Sequence, residues 1–351
     1  MKFIKKLFKW IGLSIGGILV LVVLAGFSYH LFGPGTQEPS GQLINSDGTT
    51  YRVQIAGHNS KAPTLIIEAG SGLASDYYHW LSEGLKDSIR VFRYDRAGLG
   101  YSDACTTPRD PETIARELHG LLEAAGEEPP YVLAGHSIGG PYISVFREVY
   151  SEEVEALVFL DATHPQRVER MNLLSDTSMM LKTMVFTYHA LGTMADMGIL
   201  GLYTSWFGQI LPTEGLPAEV VKRTADFYQD GRLGHAAAEE LAWYHRTLRR
   251  ADPASQFGDM PIRVFYGAKP MSEAAKEHYR KQGIDLEERH AASEAMNADF
   301  LARSTDSKAF SINGDHNSMY TLPENAEIIC REILQLYRYM GYLSGAKRAS
   351  E

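Results

Sequence analysis

The chain of 351 residues carries 34 Lys and Arg against 43 Asp and Glu, a formal charge of -9, with 44% hydrophobic and 22% charged residues. That balance describes a globular protein rather than a disordered one, and it argues against nucleic acid as a partner, because polyanion binding relies on a basic face. The sequence has no internal repeat and no clustered Cys/His spacing of the kind zinc needs. Cys105 and Cys330, far apart in the chain, read as two thiols, with a single disulfide as the alternative.

At the N-terminus, Lys2, Lys5, Lys6 and Lys9 precede "WIGLSIGGILVLVVLAGFSYHLF", Trp10 to Phe32, which holds no Asp, Glu, Lys or Arg. At about 1.5 Å per residue this stretch is long enough to cross a hydrocarbon core about 30 Å thick. Trp10 and Tyr29 lie near its ends, where aromatic rings favour the interface, and the lysines predict a cytoplasmic N-terminus with everything after Pro34 on the other side. A cleaved signal peptide, leaving a secreted chain, is the alternative, since Val23 to Ala25 has the small-residue pattern of a cleavage site. Residues 1–33 are therefore read as an anchor or signal segment and 34–40 as a linker.

From Gly41 onward, "GQLINSDGTTYRVQIAG" carries Asp47-Gly48 between two strand-like runs, a hairpin signal. Strands and helices then alternate. "TLIIEAG" and "IRVFRYDRAG" predict strands around a helical "DYYHWLSEGLKD", and "DPETIARELHGLLEAAG" predicts a helix with Asp110 as N-cap, Pro111 in the first turn and Gly126 as stop. "YVLAG", "ALVFLD", "IRVFYG" and "KAFSING" continue the strand series, and "ENAEIICREILQLYRYM" predicts a last covering helix. Short apolar strands separated by helices imply a parallel sheet covered on both faces. About a hundred residues between Asp161 and Ile262 lack strand signals but show helical patterns at Met179 to Leu191, Ala218 to Tyr228 and Ala236 to Leu248. A structureless loop of that length is implausible in a compact domain, so a helical lid over the sheet is expected.

In "YVLAGHSIGGPYISVF", Ser137 sits where a strand breaks into a helix, with glycines two positions away on either side. That is the context of a nucleophile elbow: the sharp turn pushes the serine out of the sheet, and the following helix aims its amides at the same spot. A serine hydroxyl needs a base to take its proton. His316, in "SINGDHNSMYTLPENAEII" between the last strand and the last helix, can approach the sheet's C-terminal edge, whereas His136 reads as packing or pocket wall.

These segments, together with "RYDRAGLGYSD", resemble the α/β-hydrolase family from about Gly41 onward: an Asp-Arg-x-Gly-x-Gly-x-Ser segment, the elbow "GHSIGG" and the terminal histidine loop "GDHNSMYTLPE", in the family's order. The resemblance implies an α/β-hydrolase fold, a mostly parallel eight-stranded sheet with helices on both faces and a helical cap inserted after the sixth strand. The core is then expected over 41–161 and 262–345, and the cap over 162–261. In much of the family the acid that orients the histidine follows the seventh strand, but here that turn reads "YGAKP" and holds no carboxylate. Some members carry the acid after the sixth strand, which points to Asp161 in "LVFLDATHP"; Asp285, Glu287 and Asp299 are the reserves, and Asp315 adjoins the histidine. The resemblance further implies an oxyanion hole from the amide of Ile138 and one in "EAGSGLAS", expected at Ser71 with Gly72 second, while Glu68 has no catalytic role.

"MNLLSDTSMMLKTMVFTYHALGTMADMGILGLYTSWFGQIL" is rich in Met, Leu and aromatics, a composition suited to packing and to pockets for flexible apolar chains. The expectation is a membrane-anchored serine hydrolase acting through Ser137, His316 and Asp161 on a small hydrophobic or lipid-derived ester, with no metal or organic cofactor. Amide or thioester cleavage, or a non-catalytic small-molecule binding protein of the same fold, are the alternatives.

Overall fold

The structure, a computed structural model, describes residues 2–58, 61–171, 175–208, 210–281 and 285–344. Residues 172–174 and 209, within the expected lid, and residue 345, at the end of the expected core, lie outside them. Helix α1 (Lys2–Phe32) is long and apolar enough to cross a membrane. An eight-stranded sheet follows, built from β1 (Gln42–Ser46), β2 (Thr49–Ala56), β3 (Thr64–Glu68), β4 (Val91–Tyr94), β5 (Tyr131–His136), β6 (Val154–Leu160), β7 (Ile262–Gly267) and β8 (Ser307–Ile312). Their order across the sheet is β1-β2-β4-β3-β5-β6-β7-β8, with the β1–β2 and β2–β4 pairs antiparallel and the other pairs parallel.

The central strands are apolar along their whole length because both faces are covered. Alternation sends Leu65, Ile67, Val132, Ala134, Val158 and Leu160 to one face, packed against α2 (His79–Leu85) and α13 (Pro323–Tyr339). Ile66, Tyr131, Leu133, Leu157 and Phe159 face the other side, against α3 (Pro111–Ala125) and α4 (Gly139–Val149). Each such aliphatic side chain contributes about 1.5–3 kcal/mol by leaving water. Helix α3 starts where Asp110 accepts the Thr113 N–H at 2.9 Å and stops at Gly126, whose φ is 72°.

Between β6 and β7 lie α5 (Arg167–Met171), α6 (Met179–Asp196), α7 (Ile199–Phe207), α8 (Ala218–Asp226) and α9 (Arg232–Ala254). Helices α6 and α9 are longer than their sequence patterns, and α8 stops at Asp226 rather than Tyr228. Helix α7 has no counterpart among the expected elements, because "ILGLYTSWF" is apolar nearly all round and shows no polar stripe at helical spacing. Helices α10 (Glu273–Lys281) and α11 (Leu286–Ala302), between β7 and β8, are also unexpected, and α11 begins where Asp285 caps the Glu287 and Glu288 amides. The short α12 (Ser318–Thr321) follows β8.

Chain order reverses around β3: its successor β4 lies on one side and β5 on the other. In open α/β sheets such a switch point leaves a crevice outside the carboxyl ends of the strands, where ligands bind.

Candidate active site

The turn from β5 into α4 holds Ser137 at φ 53°, a left-handed conformation that costs a non-glycine residue on the order of 1 kcal/mol and persists only where its surroundings impose it. Here the Ser137 amide donates to Leu160 O at 3.2 Å, and the Ser137 carbonyl accepts from Thr163 N at 2.9 Å and Gly140 N at 3.1 Å. Glycine is needed on both sides for close approach: a Cβ at Gly135 would lie 2.6 Å from the Gly139 carbonyl, and one at Gly139 would lie 2.5 Å from Glu68 O.

Asp161, just beyond β6, also has positive φ, 43°. Its amide donates to Phe265 O at 2.7 Å, and its Oδ1 accepts the Gly267 N–H at 3.2 Å. The β7 turn thus lacks a carboxylate side chain and supplies a backbone donor to the carboxylate on the neighbouring strand. Oδ2 of Asp161 pairs with Nδ1 of His316 at 2.5 Å. Burial pushes the Asp161 carboxyl up, but the His316 hydrogen bond and charge, aided by the Gly267 N–H, outweigh it and hold the group below the usual carboxylate range.

The other carboxylates considered from sequence are engaged elsewhere. Asp285 caps α11, Glu287 is exposed, Asp299 binds His164 and Arg303, and Asp315 accepts the Asn317 and Ser318 amides. His316 itself is about half exposed, its ring 4.5 Å from that of His136.

His136 is buried and forms one link of a chain that sequence reading did not foresee. The Gly70 N–H donates to Tyr78 Oη at 2.9 Å, Tyr78 Oη lies 3.0 Å from His136 Nδ1, and His136 Nε2 lies 3.0 Å from the His316 carbonyl. The carbonyl can only accept, so Nε2 carries the proton and Nδ1 accepts from the tyrosine. Burial, with the His316 ring beside it, holds the His136 imidazole well below the ordinary histidine range, so it is neutral at pH 7. The chain ties the turn after β3 to the loop that carries His316.

A second unforeseen element is Glu240 on α9. Arg96 is buried between Glu68 (2.5 Å) and Glu240 (2.8 Å) and also donates to the carbonyls of Ala69 and Gly70. Glu240 Oε2 in turn accepts the Gly72 N–H at 3.4 Å. The β3 turn that holds Ser71 is therefore gripped from the sheet side and from the inserted helices. Glu68 is a fixed strand-end residue, bonded by Tyr94 Oη at 2.5 Å as well as by Arg96. The amides of Ser71 and Ile138 have no hydrogen-bond partner among the described residues. No group of three or more His, Cys, Asp or Glu side chains arranged to hold a metal ion occurs among the described residues. Cys105 and Cys330 are free thiols, Cys330 buried.

A family model described as "Alpha/beta hydrolase family" matches residues 65–303. The uncharacterized protein YbdG of Bacillus subtilis is 29% identical over 173 residues, 48% of this chain and 53% of YbdG. The chain spans about half the length of the curated relatives it matches in that organism. The (lyso)-N-acylphosphatidylethanolamine lipase of Mus musculus is 23% identical over 240 residues, 62% of this chain and 68% of the lipase. Among solved structures, a thermophilic esterase from Thermogutta terrifontis superposes with a TM-score of 0.54 at 18% identity, over 84% of this chain and 98% of the esterase, a likeness of fold. With a family model over more than half its length and the eight-stranded, mostly parallel sheet of that fold, this chain belongs to the α/β-hydrolase family.

Proposed function

We propose that this protein is a membrane-anchored serine hydrolase that cleaves esters of hydrophobic, lipid-derived acids. The observation that carries this reading is the 2.5 Å pairing of His316 Nδ1 with Asp161 Oδ2 at the same sheet edge as the strained Ser137 turn. With Nδ1 committed to the carboxylate, Nε2 of His316 is the nitrogen free to act as base.

In this mechanism His316 Nε2 takes the proton of Ser137 Oγ as the oxygen attacks the ester carbonyl. The amides of Ile138 and Ser71 receive the developing oxyanion. His316 then returns the proton to the departing alcohol, leaving an acyl-serine, and a water activated by the same nitrogen releases the acid and restores Ser137. Asp161 holds the imidazole tautomer and stabilises the imidazolium while the charge exists.

The inserted helices serve as the cap over 162–261. Leu191, Leu200, Leu211, Tyr228 and Leu233 line an apolar cavity of about 230 Å³ among them, which suits an acyl chain. The mouse lipase and the bacterial esterase are consistent with such a substrate. Helix α1 is the anchor, its lysines on the cytoplasmic side and the sheet on the other, and the helix runs unbroken past Ala25 to Phe32.

A fluorophosphonate probe, which reacts at a useful rate with an activated serine, tests the reading. Labelling is expected in the parent and lost in Ser137→Ala. Absence of labelling in a folded parent, or labelling that survives the substitution, overturns it.

A further inference from the structure

We propose that the exposed aromatic face of α7 docks into the bilayer leaflet from which α1 emerges, so that the cap sits in the lipid interface rather than in water. The proposal rests on reading α1 as a membrane anchor.

The face is built by helical spacing. Leu200, Gly201 and Thr204 turn inward and are buried, while Tyr203, Trp206 and Phe207 stand together on the outside. Trp206 is 76% exposed, Phe207 71% and Tyr203 49%. The Tyr203 and Phe207 rings are 5.0 Å apart, and the Phe207 and Trp206 rings 6.5 Å apart, so the three form one patch. Ile210, just beyond the helix, is exposed beside it. From Gly198 to Thr213 the sequence contains no charged residue. Contiguous exposed apolar surface of this kind marks an interaction site, and Trp and Tyr favour the boundary between lipid and water.

What identifies the occupant is the attachment of α7. The helix packs along α1, and the two backbones meet with no room for a side chain: a Cβ on Gly26 would lie 2.7 Å from Met197 O, and one on Gly198 would lie 2.1 Å from Gly26 O. Gly26 and Tyr29 are in the last turns of α1, at the end where the apolar stretch leaves the membrane. The linker is tied down as well, since Gln37 N donates to Asp226 Oδ2 at 2.8 Å at the end of α8. Helix α7 is thus held at the depth where the span emerges. Ile210 and Leu200 also line the apolar cavity. The cavity wall therefore reaches the docking face, a route by which a lipid chain could leave the bilayer without crossing water.

The test uses the full chain in phosphatidylcholine vesicles whose acyl chains carry bromine near the headgroup end, and compares it with Trp206→Phe. The difference in emission between the two isolates Trp206 from Trp10, Trp80 and Trp243. The expected result is that the chain floats with the vesicles and that most of the Trp206 emission is lost in brominated lipid. If the chain floats but the Trp206 emission ignores bromine and is quenched by aqueous acrylamide, α7 faces water and the proposal fails while the anchor stands. If that emission ignores both quenchers, a second copy of the chain covers the face and the proposal fails. If the chain does not float, the anchor reading fails and takes this proposal with it.

Discussion

The carboxyl edge of the sheet and the inserted helices bend their backbones in different ways. At the edge, Ser137 (φ 53°) and Asp161 (φ 43°) enter the left-handed region as non-glycine residues at the ends of neighbouring strands. In the insertion and its connections, positive φ among the described residues falls on glycines: Gly198, Gly208, Gly215 and Gly258. The edge can hold strain because the parallel ladder continues into backbone bonds around both residues, to Leu160 O and Phe265 O. The insertion has no ladder; α6 and α9 pack helix on helix, closely at Gly192 and Gly234, and Met179 and Phe186 of α6 and Trp206 of α7 are exposed. A rigid edge suits groups that must meet within a few tenths of an ångström, and an adaptable, Met-rich layer suits a ligand with a flexible chain.

Breaking the edge should produce the largest effects. Ser137→Ala is expected to lower kcat for a chromogenic ester by several powers of ten with the fold intact, measured beside a circular-dichroism spectrum. Asp161→Asn should cost up to about 10⁴-fold in kcat, because the imidazole loses the partner that sets its tautomer. Parental activity in that variant would move the orienting role to another carboxylate.

The joint between the two regions comes next. Glu240→Leu removes one partner of the buried Arg96 and should cost about 3–5 kcal/mol, read from urea midpoints, with kcat falling as the turn at Ser71 loosens. A loss below about 1 kcal/mol would mean that the inserted helices are not held to the edge through this pair.

The smallest effect concerns His164, which links the start of the insertion to α11 by a 2.9 Å contact with Asp299. Burial, with Arg303 and Arg170 nearby, pushes its imidazole down to about 4 despite that contact. An unfolded histidine binds its proton near 6.5, so between those values the unfolded chain carries the extra proton. Stability is therefore complete above about pH 6.5 and declines as the pH falls toward about 4, by at most about 3 kcal/mol. Urea midpoints between pH 7 and pH 5 should show this slope in the parent and a flatter one in His164→Gln.

Much of the fold was legible in the chain because buried parallel strands announce themselves as short apolar runs between turn residues. "YVLAG" and "ALVFLD" need no partner to be read as strands, and Asp110, Pro111 and Gly126 bracket α3 by local chemistry alone. Helix α7 escaped because a helix with aromatics on its exposed face has no polar face to reveal its period. Glu240 escaped for the opposite reason. In "AAAEELAW" it looks like any solvated helical glutamate, and only the packing of α9 over the β3 turn brings Arg96 to it. Tyr78, in a helical "DYYHW", carried no sign of its bond to His136.

The chain by itself determined the strand–turn–helix around Ser137, since glycine at 135 and 139 is dictated by steric contact within and beside the turn. It also determined that a histidine would lie in the loop before the last helix. Which carboxylate faces that histidine was decided only by the tertiary structure. The resemblance pointed to Asp161, with Asp285, Glu287 and Asp299 in reserve, but proximity comes from the fold: β6, β7 and β8 lie side by side, and their pairing carries Asp161 to His316 across 155 residues. Local chemistry can state what a residue is able to do, whereas proximity between distant residues is a property of the folded sheet.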